Sequence, residues 1–255
     1  MQRLSSTRPF WRAYFWVYDR NRSTPYVKLI KQNAELVVGK KTDGVYLDLG
    51  CGTGNSTIAI HQQLNGRGQV IGLDNSPEAI TRAEKKAPAE IEFRLASMEA
   101  TLSFPAGGAS GVLANNSLYL VSDPKQTLLE IMRVLKPGGR FVMTNPSAGA
   151  RPQQIFQEHL QEKRAEFRQC YQPLAAKLMM AGHLIKAIFN FLLILPFNLV
   201  LKHDLKVGSH FWPLEKWEGI IAEIQREGKY KFTVQPPFAA YAGTNYTFVI
   251  DRLPD

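Results

Sequence analysis

The sequence has little cysteine, and this scarcity limits what can hold the fold together. Only two of its 255 residues are cysteine, Cys51 and Cys170, and the first lies inside a glycine-rich stretch. A disulfide framework needs several paired cysteines, and a structural zinc site needs clustered cysteine and histidine ligands. Both are excluded, and no metal site is expected. Because such low cysteine usage is typical of a reducing compartment, we expect a cytoplasmic protein.

Long uninterrupted apolar runs are also lacking. Arginines interrupt the N-terminal region, so no signal peptide is predicted; they are Arg3, Arg8, Arg12, Arg20 and Arg22. The longest apolar stretch is 187–201, which lies between Lys186 and Lys202 and contains Asn190, Pro196 and Asn198. About 20 apolar residues are needed to cross a bilayer, which disfavours a transmembrane helix here. Two alternatives remain: a helix that covers a lipophilic substrate, or a peripheral contact with an anionic membrane through 187–202.

Acidic residues are scarcer than basic ones, and the excess of positive charge is local. The chain has 31 Lys and Arg against 22 Asp and Glu, a formal net charge of +9. Residues 1–44 carry +6 and residues 151–206 carry +4, whereas 45–150 balance and the remainder carries −1. Such a distribution suits phosphates, nucleic acid or anionic lipid, or a solvated basic face that aids solubility.

The central part of the chain alternates strand-like and helix-like patterns. Short apolar runs typical of strands buried on both faces alternate with helical segments, two of which begin with a capping residue and a proline, Ser76-Pro77 and Asp123-Pro124. The predicted strands are 45–49, 69–73, 91–95, 111–114 and 140–144, the predicted helices are 53–64, 77–86 and 124 to about 135, and a turn is predicted at 136–139. This order predicts an α/β fold with a doubly wound, mainly parallel sheet.

The two ends of the chain depart from this alternation. Residues 146–212 have a helical pattern that is too long for an ordinary loop, which predicts an insertion after strand five. A last core helix is predicted at 217–227, followed by two antiparallel strands at 230–234 and 246–251. Six aromatic residues fall within 10–18, ahead of a helix that begins at Thr24-Pro25. The predicted segments are an N-terminal cap (1–42), a core (43–145), a helical lid (146–212) and the C-terminal part of the core (213–255).

One motif carries the chemistry. The first predicted strand ends in Asp48-Leu49-Gly50, and Cys51-Gly52-Thr53-Gly54 leads into the next helix. Three glycines let a ligand approach the backbone, whose amides suit a carboxylate, while Asp48 suits an ammonium or sulfonium. Asp74, at the end of the second strand, is placed to accept hydrogen bonds from both hydroxyls of a ribose, which implies a nucleoside. The spacing G-x-G-x-G differs from the dinucleotide pattern, and a P-loop lysine is absent, so a pyrophosphate ligand is disfavoured.

Residues 45–144 resemble the core of class I S-adenosylmethionine-dependent methyltransferases. The resemblance rests on 48–54, on Asp74 and on 128–139, which is similar to the helix and turn before strand five in the branch of quinone, sterol and small-molecule methyltransferases. It implies a seven-stranded Rossmann-like sheet with a helical lid after strand five, an N-terminal segment folded over the cofactor, and S-adenosylmethionine as that cofactor. The implied cofactor-binding residues are Asp48, Gly50, Cys51, Gly52, Gly54, Asp74, Asn75, Ser97, Met98 and Asn115.

Two positions differ from the pattern of that family. Where an acid often contacts the adenine amino group, this chain has Leu95-Ala96-Ser97-Met98-Glu99, so the Ser97 side chain or the Met98 backbone takes that place. Where Phe-Asp is usual near the start of strand four, the chain has Ser110-Gly111, followed by Asn115-Asn116-Ser117. The intact acids and glycines favour an enzyme, and the changes leave open a cofactor-binding protein without turnover.

No catalytic side chain is obligatory for the implied reaction. Methyl transfer from a sulfonium needs mainly alignment of the nucleophile with the methyl group. A general base is needed only for a poor nucleophile. His210, beside Phe211-Trp212, is the first candidate for this base and Tyr119 the second; further candidates are His159, His183 and Tyr171.

The resulting hypothesis is a methyltransferase that acts on a hydrophobic small molecule or lipid-like acceptor, such as a quinol, an isoprenoid or a lipid. An RNA methyltransferase is the main alternative, because both basic regions could contact phosphates. Against it, the Asn-Pro-Pro-aromatic signature of base N-methylation is missing after strand four, and the apolar insertion suits a phosphate backbone poorly. A nicotinamide-dependent dehydrogenase is a weaker alternative.

Overall fold

The computed structural model of the protein describes residues 8–20, 23–40, 42–204 and 211–254. Within these ranges the helices are α1 (Arg8–Tyr18), α2 (Thr24–Val38), α3 (Asn55–Leu64), α4 (Pro77–Lys86), α5 (Pro124–Val134), α6 (Pro152–Cys170), α7 (Pro173–Asp204) and α8 (Leu214–Glu227). The strands are β1 (Val45–Leu49), β2 (Gln69–Asp74), β3 (Glu92–Leu95), β4 (Ala109–Asn115), β5 (Leu135–Pro146), β6 (Phe232–Val234), β7 (Phe238–Ala240) and β8 (Asn245–Arg252). The predicted α/β alternation of the central part is confirmed.

All described strands belong to one sheet with the order β3-β2-β1-β4-β5-β8-β6. The first five strands in this order are parallel, and β8 is antiparallel to both β5 and β6. The doubly wound, mainly parallel sheet is therefore confirmed, as is the antiparallel pairing of the last two predicted strands. The eighth strand, β7, was not predicted; it has three residues, too few for an alternating pattern, and pairs with the first part of β8.

The sheet is buried on both faces, which explains its nearly continuous apolar strands. Successive side chains of a strand point to opposite faces. In β5, Phe141 packs in the same cluster as Trp217 of α8, whereas Val142 packs with Tyr46 in the cluster formed with α2 and α3. Trp217 and Tyr46 are each only 1% exposed. Two helical layers thus fix the strand ends where the candidate site lies.

Local capping signals fix three of the helix ends. The Ser76 hydroxyl accepts the amide of Ala79 at 3.3 Å, and the Asp123 carboxylate accepts the amide of Gln126 at 3.0 Å, so α4 and α5 begin where the sequence predicts. Helix α8 ends as predicted before Gly228, which adopts φ +67°, but it begins at Leu214 rather than at 217.

The prediction that a turn at 136–139 precedes the fifth strand is wrong, because β5 already begins at Leu135. Ala109 pairs with Leu135, and Gly111 pairs with Arg140, so residues 136–139 lie opposite a single residue of β4. Gly138 has φ +74°, a conformation that glycine adopts without steric cost. The Pro-Gly-Gly segment is therefore a bulge inside the strand, which the local turn signal could not distinguish from a loop.

The aromatic segment predicted to precede a helix is itself the helix α1. Its rings pack against α7: the ring centroids of Phe10 and Phe197 are 5.6 Å apart, and those of Tyr14 and Phe197 are 6.1 Å apart. The helical pattern of 146–212 corresponds to α6 and α7 in the described residues. Helix α6 is joined to α2 by an ion pair between Lys28 and Glu162. Helices α1, α6 and α7 thereby lie over the strand ends, and the ion pair joins them to α2 on the face of the sheet.

Replacing Gly111 in β4 by alanine should destabilise the protein by about 1–3 kcal/mol, because the core at this point is already filled. A Cβ atom there would lie 2.7 Å from the Tyr46 ring and 3.0 Å from Val37. Gly219→Ala is the matched control: in α8 the added Cβ meets nothing within 4 Å, so the helix should gain about 0.5–1 kcal/mol. Urea unfolding measures both free energies of unfolding. Equal effects of the two substitutions would contradict the packing assigned to Gly111.

Candidate functional site

The glycine loop between β1 and α3 is held against the end of β2. The amides of Gly50 and Cys51 both donate to the carbonyl oxygen of Leu73, at 2.8 and 3.0 Å. Gly50, Gly52 and Gly54 have φ values of +69°, +54° and +78°, so this stretch cannot be helical, and α3 begins at Asn55 rather than at 53. The expectation that the loop amides bind a ligand carboxylate stays a prediction. Two further amides of the loop also have partners within the protein: Gly52 donates to Asp74, and Gly54 donates to the carbonyl oxygen of Cys51.

The three loop glycines differ in what surrounds them. A Cβ atom on Gly50 would lie 2.4 Å from Ser117, and one on Gly54 would lie 2.8 Å from the Phe93 ring, so both are needed for close packing. A Cβ atom on Gly52 would meet only the ring of Phe15, at 3.8 Å. Gly52 is therefore the loop glycine that leaves room beside the backbone.

Asp74 at the end of β2 is held in place by two backbone donors. The amide of Gly52 donates to its Oδ2 atom at 2.8 Å, and the amide of Ser76 donates to its Oδ1 atom at 2.9 Å. Burial raises the pKa of this carboxyl, and the hydrogen bonds from Ser76 and Gly52 oppose the rise. Each carboxylate oxygen keeps a further lone pair, so Asp74 can accept two more hydrogen bonds from a ligand diol.

Asp48 lies deeper than Asp74, at 1% exposure. Its Oδ2 atom accepts the hydroxyl of Thr57 at 2.6 Å, whereas its Oδ1 atom has no hydrogen-bond partner among the described residues. Burial raises the pKa of Asp48 to about 7, against the lowering effect of the Thr57 bond. A buried carboxyl with a free oxygen is costly unless another group bonds to it, so Asp48 marks a polar position beneath the loop.

Cys51 is the one predicted cofactor residue with a chemically reactive side chain. Its Sγ atom lies 3.7 Å from the carbonyl oxygen of Gly52. Burial, and then the negative charges of Asp48 and Asp74, raise the pKa of the thiol well above its usual value. The sulfur is thus kept protonated and acts as a small packing group.

A cavity of about 1360 Å³ opens between the strand ends and helices α1, α6 and α7. It is lined by most of the predicted cofactor residues, namely Gly50, Cys51, Gly52, Asp74, Asn75, Ser97, Met98 and Asn115, and by the candidate bases Tyr119, His159 and His183. Asp48 and Gly54 are not among the lining residues. Tyr171 lies outside the cavity and is 45% exposed. His210 lies outside the described residues, although its neighbours Phe211 and Trp212 line the cavity.

Two of the candidate bases that line the cavity, Tyr119 and His159, differ in how burial shifts their pKa values. Burial raises the pKa of Tyr119 to about 12, so its phenol stays protonated near neutral pH and can donate a hydrogen bond more readily than it can accept a proton. Burial and the neighbouring His183 lower the pKa of His159 to about 4, so this imidazole is neutral.

A group of tyrosines forms one wall of the cavity, and the sequence interpretation missed half of it. Tyr14 and Tyr18 come from the aromatic segment that it singled out, whereas Tyr26 and Tyr241 carried no signal. The hydroxyl of Tyr18 donates to that of Tyr26, which also accepts the Asn55 amide at 3.2 Å. Burial raises the pKa of each of the four phenols, so the wall is uncharged.

The polar residues after strand four form the floor of the cavity. Asn115 donates to Ser56 at 3.1 Å and accepts from Asn33 at 3.2 Å. Asn116 accepts the side-chain amide of Asn245 at 2.6 Å. The participation of Asn33 and Asn245 could not be predicted, because their partners lie 82 and 129 residues away in the chain. Within the described residues no group of three or more His, Cys, Asp or Glu side chains could hold a metal ion.

Comparison with known proteins places this fold and site in a class. Residues 40–205 match the methyltransferase domain family. The demethylmenaquinone methyltransferase of Lactococcus lactis is 38% identical over 114 residues, which cover 43% of this chain and 45% of that protein. The trans-aconitate 2-methyltransferase of Acidovorax ebreus is 29% identical over 136 residues, covering 52% and 48%. The chain thus spans about half the length of these two relatives.

Solved structures agree at the level of the fold. The plantazolicin methyltransferase BpumL in complex with SAH matches with a TM-score of 0.57 at 15% identity, over 97% of this chain and 95% of that one. The sheet order and the two strand-end acids define a class I S-adenosylmethionine-dependent methyltransferase architecture. The chain belongs to the methyltransferase domain family, and its cofactor is S-adenosylmethionine.

The state of Asp48 predicts how the ligand-free protein responds to pH. Its pKa is about 7 in the folded chain and 3.8 as a free side chain, so the folded state holds a proton between these values that the unfolded state has lost. The free energy of unfolding should therefore fall as pH rises from 4 to 7. Asp48→Asn, which cannot ionise, should lose less stability over this interval. Urea unfolding at several pH values measures the slopes, and parallel slopes for the two proteins would contradict the assignment.

Proposed function

We propose that the chain transfers a methyl group from S-adenosylmethionine to a hydrophobic small-molecule acceptor bound in the cavity. The observation that carries this proposal is the Asp74 carboxylate, fixed by the amides of Gly52 and Ser76 at the cavity wall with two lone pairs to spare. A ribose diol would satisfy both lone pairs. When bound, the cofactor supplies a methyl group activated by its sulfonium charge.

Residues around Asp74 are proposed to hold the remaining parts of the cofactor. Asn75, Ser97 and Met98 line the same cavity, on the side suited to the adenine. Asn115, on the polar floor, is proposed to border the methionine end. Asp48 does not line the cavity, so we propose that its free Oδ1 atom acts through a bridging water rather than by direct contact with the ammonium.

Positioning is proposed to supply most of the catalysis. The tyrosine wall and the aromatic rings of α1 exclude water from one side of the cavity, and the floor offers fixed amide groups. An acceptor held in line with the methyl group reacts without an obligatory base. Tyr119 is proposed to donate a hydrogen bond to the acceptor, because its raised pKa keeps the phenol protonated.

The apolar walls contributed by α1, α6 and α7 support the proposal of a hydrophobic acceptor. Trp11, Phe15, Phe156, Phe191 and Ile194 all line the cavity. A relative named for demethylmenaquinone supports a quinol or isoprenoid acceptor, and one named for trans-aconitate supports an acceptor that carries carboxyl groups. In this proposal segments 1–42 and 146–212 form a cover over a core built from 43–145 and 213–255.

We further propose that the chain is a cytoplasmic protein and that α7 makes a peripheral contact with an anionic membrane. Through this contact the protein would reach acceptors dissolved in the membrane. Five apolar side chains of α7 recur every four or seven residues, the spacing of one helix face: Leu174, Leu178, Ile185, Leu192 and Leu199. They are 58–73% exposed. In the sequence, Lys177 and Lys202 lie near the two ends of this stretch, and the first acid is Asp204, the last residue of α7. An apolar face with basic flanks suits an anionic lipid surface.

A contact parallel to the membrane explains α7 better than a span. Part of the helix, Pro173–Phe197, is long and apolar enough to cross a bilayer. However, its opposite face carries His183 and Asn190, which line the cavity, and His183 lies within hydrogen-bond distance of His159. A transmembrane position would place these polar groups in hydrocarbon without partners, at a cost of several kcal/mol each.

Cofactor binding is tested through Asp74. Asp74→Ala should weaken binding of S-adenosylhomocysteine at least about 100-fold, because two charge-assisted hydrogen bonds are lost. Glu84→Ala, which removes a carboxylate from the exposed face of α4, is the control and should bind as the wild type does. Titration calorimetry with S-adenosylmethionine, S-adenosylhomocysteine and NAD measures the affinities. Binding of NAD without S-adenosylmethionine would contradict the proposed function.

Membrane contact is tested by flotation with vesicles of phosphatidylcholine alone or with phosphatidylglycerol. The wild type should float with the anionic vesicles, and more weakly at high salt. A triple variant, Leu178→Ser, Ile185→Ser and Leu192→Ser, should reduce binding more than about tenfold, because its apolar contact area is lost. Leu253→Ser, an exposed leucine outside α7, is the control. Undiminished flotation of the triple variant would rule out this face of α7.

A further inference from the structure

A chain of hydrogen bonds runs from the start of α2 through two histidines to the cavity. The backbone nitrogen of Thr24 lies 3.1 Å from Nδ1 of His159 in α6, and the Thr24 hydroxyl lies 2.8 Å from the same atom. The Nε2 atom of His159 lies 3.0 Å from the Nε2 atom of His183 in α7. Both imidazoles line the cavity.

These hydrogen bonds determine which nitrogen atoms of the two imidazole rings carry protons. A backbone amide can only donate, so Nδ1 of His159 accepts, and the single proton of the neutral ring is on Nε2. That proton is donated to Nε2 of His183, which leaves the proton of His183 on Nδ1. Lowered pKa values keep both rings neutral. His183 therefore offers an N–H group, whereas its basic nitrogen is occupied, so the pair is a hydrogen-bond donor and not a general base.

Of the charged side chains near the two histidines, one lysine is not in an ion pair within the described residues. Within the described residues Glu162 pairs with Lys28, and Glu166 pairs with Lys163. Lys186 has no ion pair in the described part of the chain. It lines the cavity and lies about one helical turn from His183 on α7. The positive charge of Lys163 lowers the pKa of both imidazoles, and that of Lys186 lowers the pKa of His183.

We propose that His183 and Lys186 form a subsite for an anionic oxygen of the acceptor, a carboxylate or a phosphate. The Nδ1–H group of His183 donates a directed hydrogen bond, and Lys186 supplies the charge. Thr24 and His159 are positioning residues, because their hydrogen bonds fix the tautomer of His183. This inference rests on the proposed function and narrows its acceptor to an amphipathic molecule with an apolar body and an anionic group.

The tautomers are tested by long-range ¹H–¹⁵N NMR on protein labelled with ¹⁵N-histidine. Signals are assigned from single His→Gln variants at His61, His159 and His183. At neutral pH we expect the proton of His159 on Nε2 and that of His183 on Nδ1, the less common form of a free imidazole. A His183 ring protonated at Nε2, or at both nitrogens, overturns the proposal.

The subsite is tested with three probes that share a twelve-carbon chain: dodecanoate, dodecyl phosphate and dodecanol. Calorimetry should show at least tenfold tighter binding of one anionic probe than of dodecanol, and the tighter one identifies the group. His183→Leu and Lys186→Met should each remove most of this preference, whereas Lys177→Met, which alters a lysine elsewhere on α7, should keep it. Equal binding of all three probes, or a preference that survives both variants, overturns the subsite.

Binding of S-adenosylhomocysteine separates this proposal from the proposed function. It should be the same in wild type, His183→Leu and Lys186→Met, because none of these side chains contacts Asp74 or the glycine loop. A protein that binds S-adenosylhomocysteine without preferring an anionic probe contradicts the subsite alone. A protein that prefers the anionic probe but does not bind S-adenosylhomocysteine contradicts the proposed function alone.

Discussion

The candidate site depends on the carboxylate of Asp74, which joins two strand-to-helix connections. One of its oxygens accepts from Gly52 in the loop after β1, and the other accepts from Ser76, which caps α4 after β2. Because Gly50 and Cys51 also donate to the carbonyl oxygen of Leu73, three hydrogen bonds tie the loop after β1 to the end of β2, and the bond from Ser76 fixes Asp74 to the start of α4. The glycine loop and the starts of α3 and α4 therefore share one support.

The sequence predicts those parts of the protein that local chemistry determines. Ser76-Pro77 and Asp123-Pro124 start helices through contacts three residues away, so the sequence locates α4 and α5 correctly. The bulge in β5 was predicted as a turn, because its proline and glycines are typical of both. Contacts such as that between His159 and Thr24, 135 residues apart, depend on the packing of whole helices and leave no local pattern. The same holds for half of the tyrosine wall.

Helix α7 shows how composition and position carry different information. Its length and apolar content indicate only that it avoids water. They do not distinguish a helix that covers a substrate from a peripheral membrane contact or a transmembrane helix. The structure separates its two faces: leucines and an isoleucine face outward, while His183 and Asn190 face the cavity. The inward face also carries Ala187, Phe191 and Ile194, so it is mixed, whereas the outward face is apolar, which is unusual for a surface helix of a globular protein. Such a helix suits an apolar surface on its outer side and an amphipathic ligand on its inner side.

The burial of Cys51 has a practical consequence for following helices α6 and α7. Its raised pKa and its burial within the glycine loop protect it from thiol reagents, whereas Cys170, at the end of α6, is exposed. The natural chain thus offers a single accessible attachment point for a spectroscopic label, located at the end of α6 and away from the glycine loop. A label at that one position reports on the surroundings of α6 and α7 without any engineered cysteine.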